Sequence, residues 1–190
     1  LTEVAVQTTT TAAAASSSAS IWSSNCCPAS ISGSHQTVQP LASIAATLAL
    51  TGKRVMALSA DLRKPRLHRF FGLDNEKGLS SVLGGQAQLA DVARRVEGLD
   101  SLRIVTSGPV PPNPAELLSS DEMELVLRHL RSNADYVVID TPPALVVSDA
   151  MIVAPRVDGV VVVVDADETT GGAASHTIDQ LAQVGGNVIG

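Results

Sequence analysis

The chain has 190 residues, of which 45% are hydrophobic, and its mean hydropathy is +0.23. These values suit one globular domain with a sizeable core and exclude a chain that is disordered throughout. A net charge of −6 and an aromatic content of 2% argue against a nucleic-acid-binding surface. The charges are also unevenly placed, because Glu3 is the only Asp, Glu, Lys or Arg before Lys53.

The first 40 residues differ in composition from the rest of the chain. Residues 8–20 read TTTTAAAASSSAS, and a stretch without apolar periodicity cannot bury enough surface to offset the entropy of ordering it. We expect residues 1–40 to be a disordered low-complexity segment and residues 41–190 to form one module. No signal peptide or membrane-spanning run is recognisable, and the start at Leu1 rather than Met is compatible with a fragment.

Cys26 and Cys27, the two cysteines, are adjacent in sequence. Neighbouring Cα atoms lie about 3.8 Å apart, which is less than the minimum of about 4.4 Å that a disulfide usually needs. The pair also lacks the two-residue spacing of zinc and redox motifs. Two free thiols in a reducing compartment are the simplest interpretation, and we expect a cytoplasmic location.

From residue 41 onward, short apolar runs alternate with helical patterns. This alternation predicts an α/β fold with a parallel β-sheet flanked by helices. The five valines of residues 160–164 predict a central strand that is buried on both faces. In chain order, the predicted elements are a helix at 41–50, a strand at 54–60, a helical pattern at 78–95, a strand at 102–106, a helix at 114–131, a strand at 136–140, helices at 148–154 and 170–184 with a strand at 160–164 between them, and a strand cut short at 187–190.

Two aspartates, Asp61 and Asp140, fall at the carboxyl ends of predicted strands. Ligands of open parallel sheets bind outside the carboxyl ends of the strands. Magnesium accepts one or two carboxylates there while substrate phosphates complete its coordination shell. The alternative for each aspartate is a solvated cap where a strand becomes a loop, but together they favour a metal–phosphate site.

Three stretches of the sequence resemble the bacterial tyrosine kinases, the ATPase-kinase modules of capsule and exopolysaccharide chain-length regulators. They read GKRVMALSADLRKPRLHRFFGLDNEKGLSSVL (52–83), GPVPPNPAELL (108–118) and DYVVIDTPPALVVSDAMIVAPRVDGVVVVV (135–164). The resemblance covers roughly residues 41–190 and implies a P-loop NTPase-like fold of the deviant-Walker type. It further implies Mg-ATP as cofactor, a membrane polysaccharide co-polymerase as activating partner, and assembly into a homo-oligomer.

The same resemblance assigns roles to individual residues. Asp140 matches the Walker B aspartate, which is expected to hold magnesium directly or through water. Asp61 matches the second aspartate of the family's additional Walker motif, expected to coordinate metal or to deprotonate the tyrosine acceptor. Arg63 matches the arginine that follows it and is a candidate catalytic residue, with a salt bridge to a neighbouring acid as the alternative. Pro142 and Pro143 match the prolines that shape the Walker B loop.

The phosphate loop departs from the family pattern. The family places Gly-x-x-x-x-Gly-Lys-Ser/Thr directly before the helix that begins near Pro40, whereas Gln36, Thr37 and Val38 occupy the Gly, Lys and Ser/Thr positions. Glycines of this loop let backbone N–H groups surround the phosphates, and its lysine reaches the β and γ oxygens. No cofactor-binding residue can therefore be assigned in this loop, and we expect ATP binding to be impaired.

Two further departures concern Ser59 and the tyrosines. Ser59 stands where the family has an aspartate, so it can donate a hydrogen bond or contact metal-bound water but carries no charge. The family's C-terminal tyrosine cluster is not found, and the one tyrosine, Tyr136, lies in a predicted strand. We therefore expect a P-loop fold with a degenerate N-terminal part and a truncated C-terminus.

Several interpretations remain open at this point. The chain is an ATP-dependent tyrosine autokinase module, a catalytically inactive interaction module of the same fold, or a partition- or septum-type ATPase. The Pro-Pro-Asn-Pro loop and residues 67–72 argue against the last of these. A shifted reading frame over residues 4–40 would also explain the change in composition, and the coding DNA would reveal it.

Overall fold

The computed structural model of the chain describes residues 2–9, 39–165, 167 and 169–190. Within these residues, six strands form one sheet in the order β3-β4-β2-β5-β1-β6. All neighbouring strands pair in parallel except β3 and β4, which are antiparallel. The strands are β1 (Thr2–Thr9), β2 (Val55–Ser59), β3 (Ala93–Val96), β4 (Leu99–Val105), β5 (Tyr136–Thr141) and β6 (Gly159–Val164). The predicted α/β fold is confirmed.

Helices cover both faces of this sheet. One face packs against α1 through a cluster that includes Leu41, Ala45 and Ala57. The other face packs against α6 and α8 through a cluster that includes Leu127 and Leu181. The helices are α1 (Gln39–Leu50), α2 (Leu67–Phe70), α3 (Leu79–Leu83), α4 (Leu89–Val92), α5 (Pro114–Ser119), α6 (Asp121–Asn133), α7 (Asp149–Val153) and α8 (Gly171–Gln183). None of the described helices has both the length and the apolar character needed to cross a membrane.

Strand β1 corrects the prediction of disorder for the start of the chain. Thr2–Thr9 lies between β5 and β6, with Val4 in register with Val138 on one side and Gly159 on the other. The sequence TEVAVQTT is rich in β-branched residues, which favour strands, and the low-complexity composition that follows it obscured this signal. Residues 10–38, including the cysteines and the Gln36–Val38 positions, lie outside the described residues.

Strand β6 corrects the prediction of a central strand. It is the outermost of the six strands, and Val164 is 40% exposed. The chain end runs beside it as a single parallel bridge between Val160 and Val188, where the sequence predicted a short strand. Hydrogen bonds from Val160 N–H to the Asn187 carbonyl and from Ile189 N–H to the Val160 carbonyl join the two segments, but only the first two residues of β6 are buried.

Two predicted helical stretches are interrupted in the structure. The pattern at 78–95 contains α3 and α4, but its last residues form β3, which pairs with β4 across a turn at Gly98 with φ of +79°. The predicted helix at 114–131 is divided at Ser120, whose hydroxyl accepts a hydrogen bond from the Met123 N–H and so caps α6.

An ion pair joins the start of β2 to the start of β5. Arg54 Nη2 lies 2.9 Å from Asp135 Oδ1, and the Arg54 backbone N–H donates to Asp135 Oδ2 at 2.9 Å. These hydrogen bonds from Arg54 lower the pKa of Asp135 from 3.8 to about 2. Because the folded-state pKa is depressed, the stabilisation is present above pH 4 and is lost as the pH falls toward 2.

We therefore expect Asp135→Asn to be less stable than the parent above pH 5 and equally stable near pH 2. Thermal unfolding of both proteins between pH 2 and 7 measures the difference. The effect is small because both side chains are substantially exposed. A difference in melting temperature that does not change with pH would show that the Asp135 charge is not responsible.

Candidate functional site

Ser59 and Asp140 are cross-strand partners at the carboxyl ends of β2 and β5. The backbone N–H of Ala60 donates to the Asp140 carbonyl at 2.7 Å and holds the two strand ends together. Residues two apart on a strand share a face. Since Ala57 and Val138 belong to the cluster that packs on α1, Ser59 and Asp140 also face the α1 side of the sheet.

The Asp140 carboxyl group is 4% exposed, and no donor among the described residues hydrogen-bonds to it. Burial raises its pKa well above the usual value, and the negative charge of Asp61 raises it further. A buried carboxylate of this kind is costly unless a cation or a hydrogen-bond donor compensates it. Its environment therefore favours a bound cation at this end of the sheet.

Two buried hydroxyls at the same strand ends, Ser59 Oγ and Thr141 Oγ1, have no hydrogen-bond partner among the described residues. Ser59 is 1% exposed and Thr141 is 2% exposed. Thr141 follows Asp140 directly, so it lies on the opposite face of the sheet, whereas Ser59 shares the Asp140 face. Unpaired buried polar groups cost about 1–3 kcal/mol each, and an unaccounted ion or water is one explanation for their presence.

These oxygen donors fit magnesium. Magnesium prefers hard oxygen ligands and binds one or two carboxylates together with waters and substrate phosphates. Asp140, Ser59 and the nearby Asp61 offer that set, and the described residues contain no cluster of three or more His, Cys, Asp or Glu that would form a complete protein cage. An ion at this position would depend on a ligand for part of its shell.

Asp61 is half-buried in the loop after β2. Its Oδ1 accepts hydrogen bonds from the backbone N–H groups of Arg63 at 3.0 Å and Lys64 at 2.9 Å, which closes an Asx-type turn. The structure thus brings Asp61 close enough to Asp140 for its charge to affect the Asp140 pKa. Its coordinating or proton-accepting role stays a prediction.

Arg63 forms a two-pronged ion pair with Asp149, the first residue of α7. Its Nε lies 2.7 Å from Asp149 Oδ2 and its Nη2 lies 2.9 Å from Oδ1. The Asp149 side chain is 0% exposed, and that of Arg63 is 40% exposed. The ion pair named as the alternative for Arg63 is therefore present, and a catalytic role for this residue stays a prediction.

The sequence analysis did not identify Asp149. It lies 86 residues after Arg63, so no local spacing connects the two. Pro142 and Pro143 begin the loop that carries the chain from β5 to α7, where the Pro143 carbonyl accepts from the Val146 and Val147 N–H groups. The fold brings this helix start next to Arg63.

The connection between β1 and α1 is the position of the phosphate loop in the related fold. Val6 of β1 is in register with Asp140, so β1 passes beside the candidate cation site before it ends at Thr9. Residues 10–38 follow, and α1 begins at Gln39 on the same face as Asp140. Tyr136, the one tyrosine of the chain, begins β5 and is half-buried, as its predicted strand position implied.

No protein-family model matches the chain. The putative tyrosine-protein kinase CapB of Staphylococcus aureus is 34% identical over 149 residues, which cover 78% of this chain and 65% of CapB. The tyrosine-protein kinase YwqD of Bacillus subtilis is 39% identical over 149 residues, covering 78% of this chain and 62% of YwqD. The chain therefore spans slightly less than two thirds of the length of these curated relatives.

Solved structures agree with this likeness. The kinase domain of the Escherichia coli tyrosine kinase ETK matches all of this chain and 65% of that domain, with a TM-score of 0.80 and 29% identity. The septum site-determining protein MinD of Pyrococcus horikoshii, solved with Mg-ADP, matches all of this chain and 68% of MinD, with a TM-score of 0.70. At 17% identity, the MinD likeness shows the fold alone. The curated relatives of this chain are thus bacterial tyrosine kinases, and its fold is that of their kinase domains and of the MinD-like P-loop NTPases.

Proposed function

We propose that this chain is a tyrosine-kinase-like module of capsule or exopolysaccharide assembly. It keeps the carboxylates that bind the cation of a nucleotide site but lacks the phosphate-loop lysine. The observation that carries the proposal is the buried Asp140 carboxyl at the end of β5, to which no described residue donates a hydrogen bond. It lies beside β1, which leads toward the connection to α1. The likeness to CapB and YwqD supports the kinase class.

In this proposal, Asp140 and Asp61 would hold magnesium, with the Asp140 carboxylate on the α1 face of the sheet. When bound, magnesium would neutralise phosphate charge, which is the main requirement of phosphoryl transfer. Asp140 would bind through a carboxylate oxygen that has no competing hydrogen bond among the described residues. Asp61 keeps one oxygen free of the backbone contacts that fix its turn.

The missing lysine lowers the expected affinity for nucleotide. No lysine precedes Lys53 in this chain, and residues 31–38 contain a single glycine. Loss of one electrostatic donor from a preorganised site costs about 2.7–4 kcal/mol of transition-state stabilisation in comparable cases, and the lost contacts to the phosphates should weaken binding as well. The chain would then bind Mg-ATP poorly and would not autophosphorylate, and its Tyr136 is held in β5.

We therefore expect calorimetry with Mg-ATP to detect no binding at micromolar concentrations. If weak binding is seen at millimolar concentrations, Asp140→Asn should remove its dependence on magnesium, since the carboxylate is the ion's proposed ligand. Asp179→Asn, which changes an exposed carboxylate on α8, is the matched control and should have no effect.

Binding of Mg-ATP with micromolar affinity would contradict the proposal that the phosphate-loop lysine is lost. If Asp140→Asn leaves the magnesium dependence of binding unchanged, Asp140 only caps the strand end and does not bind the ion. Phosphate on Tyr136 found by mass spectrometry would contradict the absence of autophosphorylation.

An inactive interaction module is the second candidate, and the loop after β5 favours it. Val146 is 71% exposed and Leu145 is 40% exposed in this loop, where they line a groove together with Met151 and His176 of α7 and α8. Apolar side chains exposed side by side are typical of interaction sites. The partners that the kinase resemblance implies, a membrane-bound polysaccharide co-polymerase and further copies of the chain, and a cytoplasmic location all belong to this proposal.

The two candidates differ in what Val146→Ser would change. For an interaction module, the substitution should weaken concentration-dependent association in sedimentation velocity while leaving the melting temperature unchanged. For a module whose function is nucleotide binding alone, association should be the same in both proteins. Lys64→Ser, at an exposed position of a different loop, is the control for a general effect of surface substitution.

A further inference from the structure

We propose that the Ser59 hydroxyl is a further protein ligand of the cation site, beside the Asp140 carboxylate on the α1 face of the sheet. Strands β2 and β5 would then supply one neutral and one charged oxygen to the ion, in addition to Asp61 in the loop after β2. This inference rests on the proposed function, because it concerns the same cation, and it assigns a ligand on β2 to that cation.

The strand register places the two side chains next to each other. Ser59 and Asp140 are partners in the parallel β2–β5 pair and point to the same face. Neighbouring strands are about 4.8 Å apart, and magnesium–oxygen bonds are about 2.0–2.1 Å long. An ion between the two strand ends is therefore within reach of an oxygen from each side chain after small rotamer changes.

The hydroxyl of Ser59 is buried and has no partner in the described part of the chain. It is 1% exposed, and no donor or acceptor among the described residues satisfies it. An alanine would fill the same space between two strands without the cost of an unpaired hydroxyl. The Ser59 hydroxyl lies beside a carboxylate that accepts no hydrogen bond from the described residues, and both are explained if they bind the same ion.

The position of Thr141 provides an internal comparison. Its hydroxyl is equally buried and equally unpaired, at 2% exposure, but it lies on the opposite face of β5. Its neighbour on that face, Ile139, packs in the cluster with Leu127 of α6. Because only Ser59 shares the face of Asp140, cation binding should respond to a change at Ser59 and not to one at Thr141.

The experiment measures Mn²⁺ binding, because Mn²⁺ prefers the same oxygen ligands as Mg²⁺ and its free form is quantified by electron paramagnetic resonance. The full chain, Ser59→Ala, Ser59→Asp and Thr141→Val are titrated with Mn²⁺, and Asp140→Asn identifies the specific site. We expect Ser59→Ala to weaken binding at that site about tenfold or more, as loss of a supporting ligand does elsewhere. Ser59→Asp should tighten it, because affinity rises with ligand charge, and Thr141→Val should stay within about twofold of the parent.

Melting temperatures with and without Mg²⁺ supply a second readout. Ser59→Ala should be at least as stable as the parent without Mg²⁺ and should gain less stability when Mg²⁺ is added, a combination that a purely structural serine would not produce. If the parent binds Mn²⁺ at a site that Asp140→Asn removes, and Ser59→Ala binds equally well, the Ser59 inference is overturned and the proposed function stands. If Asp140→Asn leaves Mn²⁺ binding unchanged, both are overturned. If Ser59→Ala and Thr141→Val lose the same amount of Mn²⁺ affinity, the assignment of Ser59 as a ligand is also overturned. The loss would then come from disturbing the strand ends and not from removing a ligand.

Discussion

Gly78→Ala should lower the free energy of unfolding by about 3 kcal/mol or more. A Cβ on Gly78 would overlap the Gly108 nitrogen and the Thr106 carbonyl oxygen, and it would lie 2.7 Å from the Ser107 carbonyl carbon. All three are backbone atoms, so no side chain can rotate away to make room. The two segments would have to separate.

That separation would break a dense set of hydrogen bonds. The N–H groups of Leu79 and Ser80 donate to the carbonyls of Thr106 and Ser107, each at 2.8 Å. Asn75 adds a further clamp, accepting from the Gly108 N–H at 2.9 Å and donating to the Gly108 carbonyl at 2.8 Å. These contacts fix the start of the Gly-Pro-Val-Pro-Pro-Asn-Pro loop, one of the stretches that carry the family resemblance.

Chemical denaturation of Gly78→Ala and Gly172→Ala measures this effect against a matched control. Gly172 lies in the first turn of α8 with no atom within 4 Å of the added Cβ, so its replacement should be neutral or stabilising by up to about 1 kcal/mol. A loss below 1 kcal/mol in Gly78→Ala would mean that the two segments can move apart without cost to the rest of the fold.

The strands that carry the candidate site could be predicted because their sequence pattern is local. Residues 54–60 and 136–140 are short apolar runs closed by an aspartate, and both form strands at the expected places. Their carboxyl ends meet at one edge because parallel strands in one sheet run the same way. The closeness of Asp61 and Asp140 follows from that arrangement and needed no knowledge of side-chain contacts.

The elements that sequence reasoning missed depend on distant partners. Strand β3 reads Ala-Arg-Arg-Val and has little strand character of its own, but it pairs with β4 across the turn at Gly98. Strand β1 is placed by β5 and β6, more than 120 residues further along the chain. Ser59 could be recognised as a departure from the family, but only its burial and its shared face with Asp140 show that the hydroxyl is unpaired.

Arg63→Ala should destabilise the protein by about 3 kcal/mol, at the lower end of the range for breaking a buried ion pair. The substitution leaves the Asp149 carboxylate, which is 0% exposed, without its guanidinium partner. The lower end applies because Arg63 itself is 40% exposed, and water can enter where its side chain is removed. Asp149→Asn leaves only a solvated arginine without a partner, so it should lower the free energy of unfolding clearly less than Arg63→Ala does.

The double variant Arg63→Ala/Asp149→Asn separates the structural role of Arg63 from the catalytic one that its family position implies. Removing both charges should recover most of the stability lost in Arg63→Ala, because no buried carboxylate remains unpaired. Equilibrium unfolding of the four proteins gives the coupling free energy of the pair, and Mn²⁺ titration of the double variant gives the state of the cation site. If Arg63 only anchors the 61–64 loop to α7, the double variant should bind Mn²⁺ as the parent does. A stable double variant with markedly weaker Mn²⁺ binding would contradict a purely anchoring role for the Arg63–Asp149 pair.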